Sequence, residues 1–315
     1  EAANLTIINI PQIVTAQSGR DFNSFSATQR AGFVTNVIEA LAPRTLHLIH
    51  AFAAYQALKN RELASRLRAV CGQIYVSAFC PHVHSDGRID GYFRDIPAIE
   101  PHVDRFIFDN HWFADQMRAS YALSDAKIAT IAYPVEKILP VPRSAKPGKH
   151  VLWASRLDAQ KNPQIVASIA RDMPDTMFHI YGRSVIGDKE VDWQKMPANV
   201  LECGPFFNID ELPLADMDAF LYTARFDGMP NILLEIAARG LPIITAPVGG
   251  VPDFLGENWA LYAIYPEDVA GFQQALDLVL NDAGLRADII DTQLELLRKD
   301  RSVDMFYQRA AQFYA

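Results

Sequence analysis

Two acidic residues, Asp227 and Glu235, lie eight positions apart in Asp227-Gly-Met-Pro-Asn-Ile-Leu-Leu-Glu235 and bracket a glycine and a proline. Proline is excluded from helix interiors and suits a first turn, so Pro230 and Asn231 mark the passage from loop to helix. Asp227 then belongs to the loop, and Glu235 lies about one turn inside the helix. The first N–H groups of that helix, those of Asn231, Ile232 and Leu233, point out of its N-terminus, where the dipole favours an anion. A phosphate held there would have a carboxylate on either side. A nucleotide-sugar, with sugar, diphosphate and ribose in series, has that shape.

A second cluster precedes it in Trp153-Ala-Ser-Arg156-Leu-Asp-Ala-Gln-Lys161-Asn162-Pro163. Residues 151–154 read as a buried strand, and Asn162 with Pro163 as a helix N-cap and first-turn pair. Arg156 and Lys161 fall in the connecting loop, beyond the carboxyl end of a strand, where open α/β sheets bind ligands. Arginine grips a phosphate bidentately and lysine acts as a point charge. Taken alone the two are ordinary solvated loop cations; beside a helix start and the Asp227…Glu235 segment they form a diphosphate clamp.

The elements that must hold these loops follow from periodicity. Short apolar, β-rich runs alternate with helical patterns, the signature of parallel α/β units. Strands are expected at residues 6–10, 46–49, 73–78, 105–108, 128–131, 151–154, 178–181, 200–202, 219–222, 243–245 and 261–263. Helices are expected at 29–41, 53–69, 112–121, from Pro163, and at 269–280, 285–299 and 303–314. The Pro-rich stretch 140–148 has the composition of an interdomain linker. The expected division is a first lobe over residues 1–147, a second over 148–299, and a terminal helix over 300–315 that crosses back to the first lobe. The fold class is α/β with two Rossmann-like lobes.

Bulk composition excludes several classes. The 315 residues, half of them hydrophobic, suffice for two α/β domains. A net charge of −8 gives no basic footprint for nucleic acid. Cys71, Cys80 and Cys203 are odd in number and lack metal-type spacing, as in reduced thiols of a cytoplasmic protein. No apolar run approaches the roughly 20 residues of a spanning helix. The chain begins with Glu1, as a segment of a longer polypeptide would.

These motifs resemble the donor-binding domain of the retaining, GT-B-fold "glycosyl transferases group 1" family, which includes bacterial mannosyl-, glucosyl- and rhamnosyltransferases. The residues that carry the resemblance are Ser155-Arg-Leu-Asp-Ala-Gln-Lys161-Asn-Pro, Asp227-Gly-Met-Pro-Asn-Ile-Leu-Leu-Glu235-Ile-Ala-Ala-Arg-Gly-Leu-Pro-Ile-Ile, and Gly249-Gly250-Val-Pro-Asp253. It implies that Arg156 and Lys161 bind the diphosphate and neutralise the leaving group, and that Glu235 accepts from the ribose hydroxyls. Asp227 stands where the family usually has a Glu that holds a donor-sugar hydroxyl. The backbone of Gly228, Met229, Pro230 and Asn231 would contact sugar hydroxyls, and the amides of Ile232 and Leu233 the phosphates. Gly182 and Arg183 match a short glycine loop near the nucleotide, and Gly204-Pro205-Phe206 the segment that frames the base. Asp227 is one methylene short of that Glu, a retraction of about 1.5 Å. Either the loop moves in, the donor sugar differs or a water bridges; the plainer reading is that Asp227 caps the turn at Gly228.

The first lobe carries less. In Thr45-Leu-His47-Leu-Ile-His50, strand alternation sets His47 and His50 on opposite faces, and His50 falls at the carboxyl end. The loose match to the family's His-bearing segment makes His50 the candidate to touch the transferring sugar and His47 a structural residue. Cys80-Pro-His82-Val-His84-Ser-Asp86 invites a zinc reading, but no fourth ligand stands at a familiar spacing. It reads as a loop facing the acceptor, and no protein-bound metal or cofactor is expected. Asn110 is an N-cap of the helix that follows. The Lys59–Arg68 stretch has the charge to rest on an anionic membrane at the inner face, although a solvated helix face accounts for it. The family's glycine-rich first loop is missing near Glu1, so the first lobe is expected to be incomplete.

The expected activity is therefore transfer of a sugar from a nucleotide diphosphate-sugar to a saccharide or lipid-linked acceptor hydroxyl, with retention, in bacterial polysaccharide or glycolipid assembly. A nucleotide-sugar epimerase and a phosphorylase are rivals on the same architecture, though no pyridoxal-binding lysine stands out. The rival of another class is an inactive donor-binding lobe serving as a scaffold.

Overall fold

The computed structural model describes residues 6–80, 82–83, 89–142, 148–184, 191–255 and 265–314. The chain forms two compact units: Glu1–Phe79 with Gly91–Phe108 and Gln116–Ala129, and Cys80–Asp90 with Asp109–Asp115 and Thr130–Ala315.

The first unit opens on helices α1 (Ile10–Ser18) and α2 (Ala27–Leu41). The strand expected at residues 6–10 does not form: Asn9 accepts from the Gln12 amide and Pro11 occupies the first helical turn, so the polar punctuation wins over the short β-rich run. Ser26 and Gln29 close a reciprocal capping box on α2. Strand β1 (Thr45–Ile49) leads into α3 (Phe52–Lys59) and α4 (Arg61–Val70). One helix was expected over 53–69; Asn60 divides it, ending α3 while its side chain accepts from the Glu62 and Leu63 amides of α4. Then follow β2 (Gln73–Ala78), the two-residue antiparallel pair β3 (His82–Val83) and β4 (Ile89–Asp90), α5 (Ile96–Ile99), β5 (Arg105–Phe108), α6 (His111–Tyr121) and β6 (Ile128–Thr130), of which β3, β4 and the start of α6 belong to the second unit. The sheet order β1-β2-β5-β6 follows the chain, with β1–β2 and β2–β5 parallel.

The second unit holds β7 (His150–Ala154), α7 (Ile165–Arg171), β8 (Met177–Tyr181), β9 (Val200–Gly204), β10 (Ala219–Tyr222), α8 (Asn231–Ala238), β11 (Ile243–Thr245), α9 (Val251–Leu255), α10 (Val269–Asn281), α11 (Ala283–Asp300) and α12 (Val303–Tyr314). Its five strands are parallel in the order β11-β10-β7-β8-β9. The chain runs outward from β7 to β9, then returns to the other side of β7 as β10, so the order reverses between β7 and β10. Central strands covered on both faces need continuous apolar runs. Val151-Leu152-Trp153-Ala154 and all four residues of β10 are accordingly buried. The strand expected at 261–263, much of the linker at 140–148, and His84 and Asp86 lie outside the described residues.

Each unit thus holds a parallel-sheet α/β region with helices, as expected, and only the second sheet reverses its strand order among the described residues.

Candidate functional site

Ligands settle at the point where a doubly wound sheet reverses its strand order, beyond the carboxyl ends of the two strands. Here those strands are β7 and β10. The loop after β7 carries Ser155 to Lys161, and the loop after β10 carries Thr223 to Pro230, so topology alone brings both chemistry-bearing segments together.

Their side chains lock the two loops to each other. Thr223, fully buried at the end of β10, accepts from Trp153 Nε1 at 2.9 Å and lies 2.9 and 3.1 Å from the Lys161 and Asn162 carbonyls, which its hydroxyl can donate to. Gln160 Nε2 donates to the Phe226 carbonyl at 3.1 Å, and the Arg225 amide to the Gln160 carbonyl at 2.9 Å. Asp158 turns the first loop by accepting from the Lys161 amide at 2.8 Å. Asn162 does not cap α7 as expected. It adopts a left-handed backbone (φ 54°), and the helix begins at Ile165. Asparagine tolerates that conformation, and the turn directs Lys161 inward.

Lys161 is consequently buried. Its Nζ donates to the Tyr222 hydroxyl at 2.7 Å and pairs with Asp227 Oδ2, which also accepts from the Tyr222 hydroxyl. Asp227 Oδ1 accepts from the Gly228 amide at 2.8 Å. Asp227 thus does cap the Gly228 turn, and with its other oxygen meets a buried ammonium. Arg156 is nearly half exposed, with Nη2 3.3 Å from Asp158 Oδ2 and 3.2 Å from Gln160 Oε1. Its guanidinium is held at the loop's surface.

Glycines let a third loop brace this corner. Gly249 has φ 55°, and a Cβ there would lie 1.7 Å from the Asp227 carbonyl oxygen. The Gly250 amide donates to the Gly228 carbonyl at 2.7 Å. Only residues without a side chain permit that approach. Asp253 of the same segment accepts from the His111 and Trp112 amides at 2.5 and 3.3 Å, and Asn110 from the Phe113 amide at 2.8 Å, so both cap α6.

Met229 and Pro230 are buried, and Pro230 precedes α8 as expected. Of the three first-turn amides expected to be open, that of Leu233 instead donates to the Pro230 carbonyl at 3.0 Å. The tight turn at the helix start uses it. The amides of Asn231 and Ile232 have no protein acceptor among the described residues. Glu235 lines a cavity of about 390 Å³ with Asn231, Arg239, Asp210, Tyr133 and Glu136. Desolvation there pushes its carboxyl above the usual range; Arg239 opposes the shift, and Asp210 and Glu136 add to it.

Gly182 packs against the first loop: a Cβ would lie 2.1 Å from the Ser155 carbonyl oxygen, and the neighbouring Arg183 carbonyl accepts from Leu157 at 2.9 Å. Both residues support the Arg156 loop through backbone; the Arg183 side chain is exposed. Pro205 is exposed after β9, and Phe206 packs partly on the core. In the first unit His50 has φ 47° and stacks on Phe79 with ring centroids 4.7 Å apart. His47 Nε2 lies 2.8 Å from Ser77 Oγ, and burial lowers its pKa, which keeps it neutral and structural.

Two residues near the site, Tyr222 and Asp109, carried no usable sequence signal, and Cys80 stood out only within the run that invites a zinc reading. Tyr222 belongs to an apolar strand, where a tyrosine reads as core. Asp109 directly follows β5; burial pushes its carboxyl up to about 6, against hydrogen bonding from Asn110 at 2.7 Å. Cys80 packs against Gly228, and burial, with Asp227 and Asp109, pushes its thiol up to about 12, so it is no thiolate nucleophile. Among the described residues no cluster of His, Cys, Asp or Glu could hold a metal ion, and no helix is long and apolar enough to cross a membrane.

Residues 148–282 match the family Glycosyl transferases group 1. This range holds both loops, α8 and the Gly249–Gly250 brace. The lipopolysaccharide 1,6-galactosyltransferase of Escherichia coli (strain K12) is 30% identical over 132 residues, 41% of this chain and 32% of that protein. The matched stretch thus spans about a third of the length of this curated relative. Solved structures share the fold at lower identity. A S. aureus TarM mutant in complex with Fondaparinux, alpha-GlcNAc-glycerol and UDP superposes with a TM-score of 0.72 at 16% identity, over 90% of this chain and 58% of that one. Anabaena HepE in complex with UDP gives 0.73 at 13%, over 90% and 81%. The lipopolysaccharide outer core galactosyltransferase WaaB, in apo form, gives 0.64 at 16%, over 91% and 79%.

Proposed function

We propose that this chain is a glycosyltransferase that moves a sugar from a nucleoside diphosphate-sugar to an acceptor hydroxyl, with retention at the anomeric carbon, during polysaccharide or glycolipid assembly. The observation that carries this reading is the convergence of Lys161, Arg156, Asp227 and the N-terminus of α8 where the strand order reverses between β7 and β10. Two cations and the open amides of Asn231 and Ile232 form a preorganised receptor for a diphosphate. Charge develops on that group as the glycosidic bond breaks, which is where such donors lower a barrier. In this reading Glu235, in its cavity, accepts from ribose hydroxyls one helical turn away. The third N–H of Lys161 then meets the incoming phosphate, and the remaining lone pair of Asp227 Oδ1 receives a sugar hydroxyl.

Among the described residues no carboxylate is arranged as a covalent nucleophile, and Cys80 stays protonated. Departure and attack on one face of the sugar fit that absence and the family matched by residues 148–282. The chemistry needs no resident metal or cofactor. The UDP in the TarM and HepE complexes supports UDP as the first nucleotide to test, and the named galactosyltransferases support a galactosyl donor. Calorimetry with UDP, followed by measurement of UDP release from UDP-galactose with and without saccharide or lipid-linked acceptors, tests the proposal. Tight UDP binding with acceptor-dependent release is expected. Acceptor-independent turnover would favour the epimerase, and binding without any release would favour the scaffold.

A further inference from the structure

We propose that Tyr222 is a positioning residue of the clamp, its hydroxyl fixing Lys161 and Asp227 to one another so that they meet a ligand as one unit. The inference rests on the nucleotide-sugar reading above.

Tyr222 lies five positions before Asp227, at the end of a strand whose four residues are all buried. Its ring is packed near that of Phe220, with centroids 6.3 Å apart and planes 21° apart, so the sheet sets where the hydroxyl sits. That hydroxyl accepts from Lys161 Nζ at 2.7 Å and donates to Asp227 Oδ2, while Lys161 Nζ pairs with the same oxygen. The three groups close a ring. Burial and the neighbouring Asp227 hold the phenol well above its usual range, so it remains a donor.

Counting the remaining valences shows what the ring offers a ligand. An ionised carboxylate has about four acceptor positions and an ammonium has three N–H donors. Oδ2 receives Lys161 and Tyr222, and Oδ1 receives the Gly228 amide at 2.8 Å, which leaves one acceptor on Oδ1. Lys161 uses two donors inside the ring and keeps one. One acceptor and one donor, fixed side by side, suit a ligand that presents a hydroxyl and a phosphate oxygen. Pre-organising a lysine in this way spares the ordering cost of a flexible side chain on binding.

The test is calorimetry on the full chain with UDP, ADP and GDP, using Tyr222→Phe, Lys161→Ala and the double variant, with a melting temperature for each. Tyr222→Phe is expected to weaken the tightest of the three nucleotides about tenfold, equivalent to about 1.4 kcal/mol. In the Lys161→Ala background it is expected to change affinity by less than about twofold, since the group it positions is gone. Unchanged affinity in Tyr222→Phe, or an equal loss in both backgrounds, overturns the proposal; the second result would be a general packing effect. Should Tyr222→Phe fail to fold, the same cycle with Asp227→Ala probes the ring from its more exposed corner. A loss confined to the background with Lys161 is again expected, and equal losses again overturn it. A wild-type chain that binds none of the three nucleotides overturns the nucleotide-sugar reading itself and Tyr222 with it. Binding by the wild type with an unaffected Tyr222→Phe overturns Tyr222 alone.

Discussion

The two units are built from the same alternation of strand and helix, yet among the described residues the proposed diphosphate receptor lies in one of them. In the first, the strand order β1-β2-β5-β6 follows the chain. Its candidate, His50, is a surface residue at the end of a peripheral strand, and it stacks on Phe79. In the second, the order reverses between β7 and β10, and the loops leaving those strands diverge around a crevice. Lys161 and Asp227 meet there because the crevice brings together residues 66 positions apart. Composition and secondary structure do not separate the units; the reversal does. If that is the lesson, damage to the second unit's switch point should remove ligand affinity, and comparable changes in the first should not.

The largest contrast is expected from two glycines with left-handed backbones. Gly249 has φ 55°, and a Cβ would lie 1.7 Å from the Asp227 carbonyl; Gly19 has φ 68° but nothing within 4 Å. Gly249→Ala combines strain with a backbone clash and should cost about 3 kcal/mol or more and abolish nucleotide binding. Gly19→Ala should cost only the left-handed penalty, about 1–2 kcal/mol, and leave affinity intact. Urea midpoints and calorimetry with UDP measure both. Equal affinity losses would break the contrast between the units.

Next in size is the clamp itself. Lys161→Ala should weaken UDP about 100-fold, equivalent to about 2.7 kcal/mol. Arg156→Ala should cost about tenfold, because its guanidinium is nearly half solvated and contributes as a screened charge. His50→Ala should leave UDP affinity unchanged and act, if at all, on turnover with acceptor. A loss of UDP affinity in His50→Ala would place donor binding in the first unit as well.

The legibility of these features in the sequence differed in the same way. The βα alternation, the helix start at Asn231 and the loops bearing Arg156, Lys161 and Asp227 were all readable, because proline, glycine and buried β-branched runs act locally. Asn9-Ile-Pro11 and Asn60 were local signals too, outweighed by apolar periodicity in the reading though not in the fold. What could not be read was pairing across the crevice. Nothing in residues 219–222 says that Tyr222 turns its hydroxyl to Lys161, and nothing in Asn162 says that it leaves the helix to its left-handed turn. The burial that raises Asp109 likewise depends on segments distant in sequence, with Arg301 and Asp227 in electrostatic range.

A smaller effect separates ligand recognition from plain solvation at Glu235. Its carboxyl is held above the ordinary glutamate range by desolvation in the 390 Å³ cavity. Only the ionised form accepts two ribose hydroxyls, so nucleotide affinity should decline on acidification sooner than an ordinary glutamate would dictate. Glu235→Gln should weaken UDP about fivefold near neutral pH and flatten this acid limb. An unchanged acid limb in the variant would assign it elsewhere.

Asp109 bears on stability rather than on ligand affinity, and its sign is opposite to that of a salt-bridged carboxylate. Its folded pKa of about 6 lies above that of an unfolded aspartate, about 3.9. The folded chain therefore holds this proton more tightly, and the associated stability is fully present below about pH 4 and is lost as pH rises through about 6. Asp109→Asn cannot ionise and should escape that loss. Its melting temperature relative to wild type should rise steadily from pH 4 to pH 6.5 and level off above. The full span is worth at most about 3 kcal/mol at roughly 1.4 kcal/mol per pH unit, less the cost of re-forming the bond to Asn110. A difference that stays flat, or falls, over that range would mean that Asp109 is paired more strongly than its burial implies. Arg301 is then the group to remove: buried, and with Nη1 unpartnered among the described residues, it is a cation in electrostatic range able to supply such pairing.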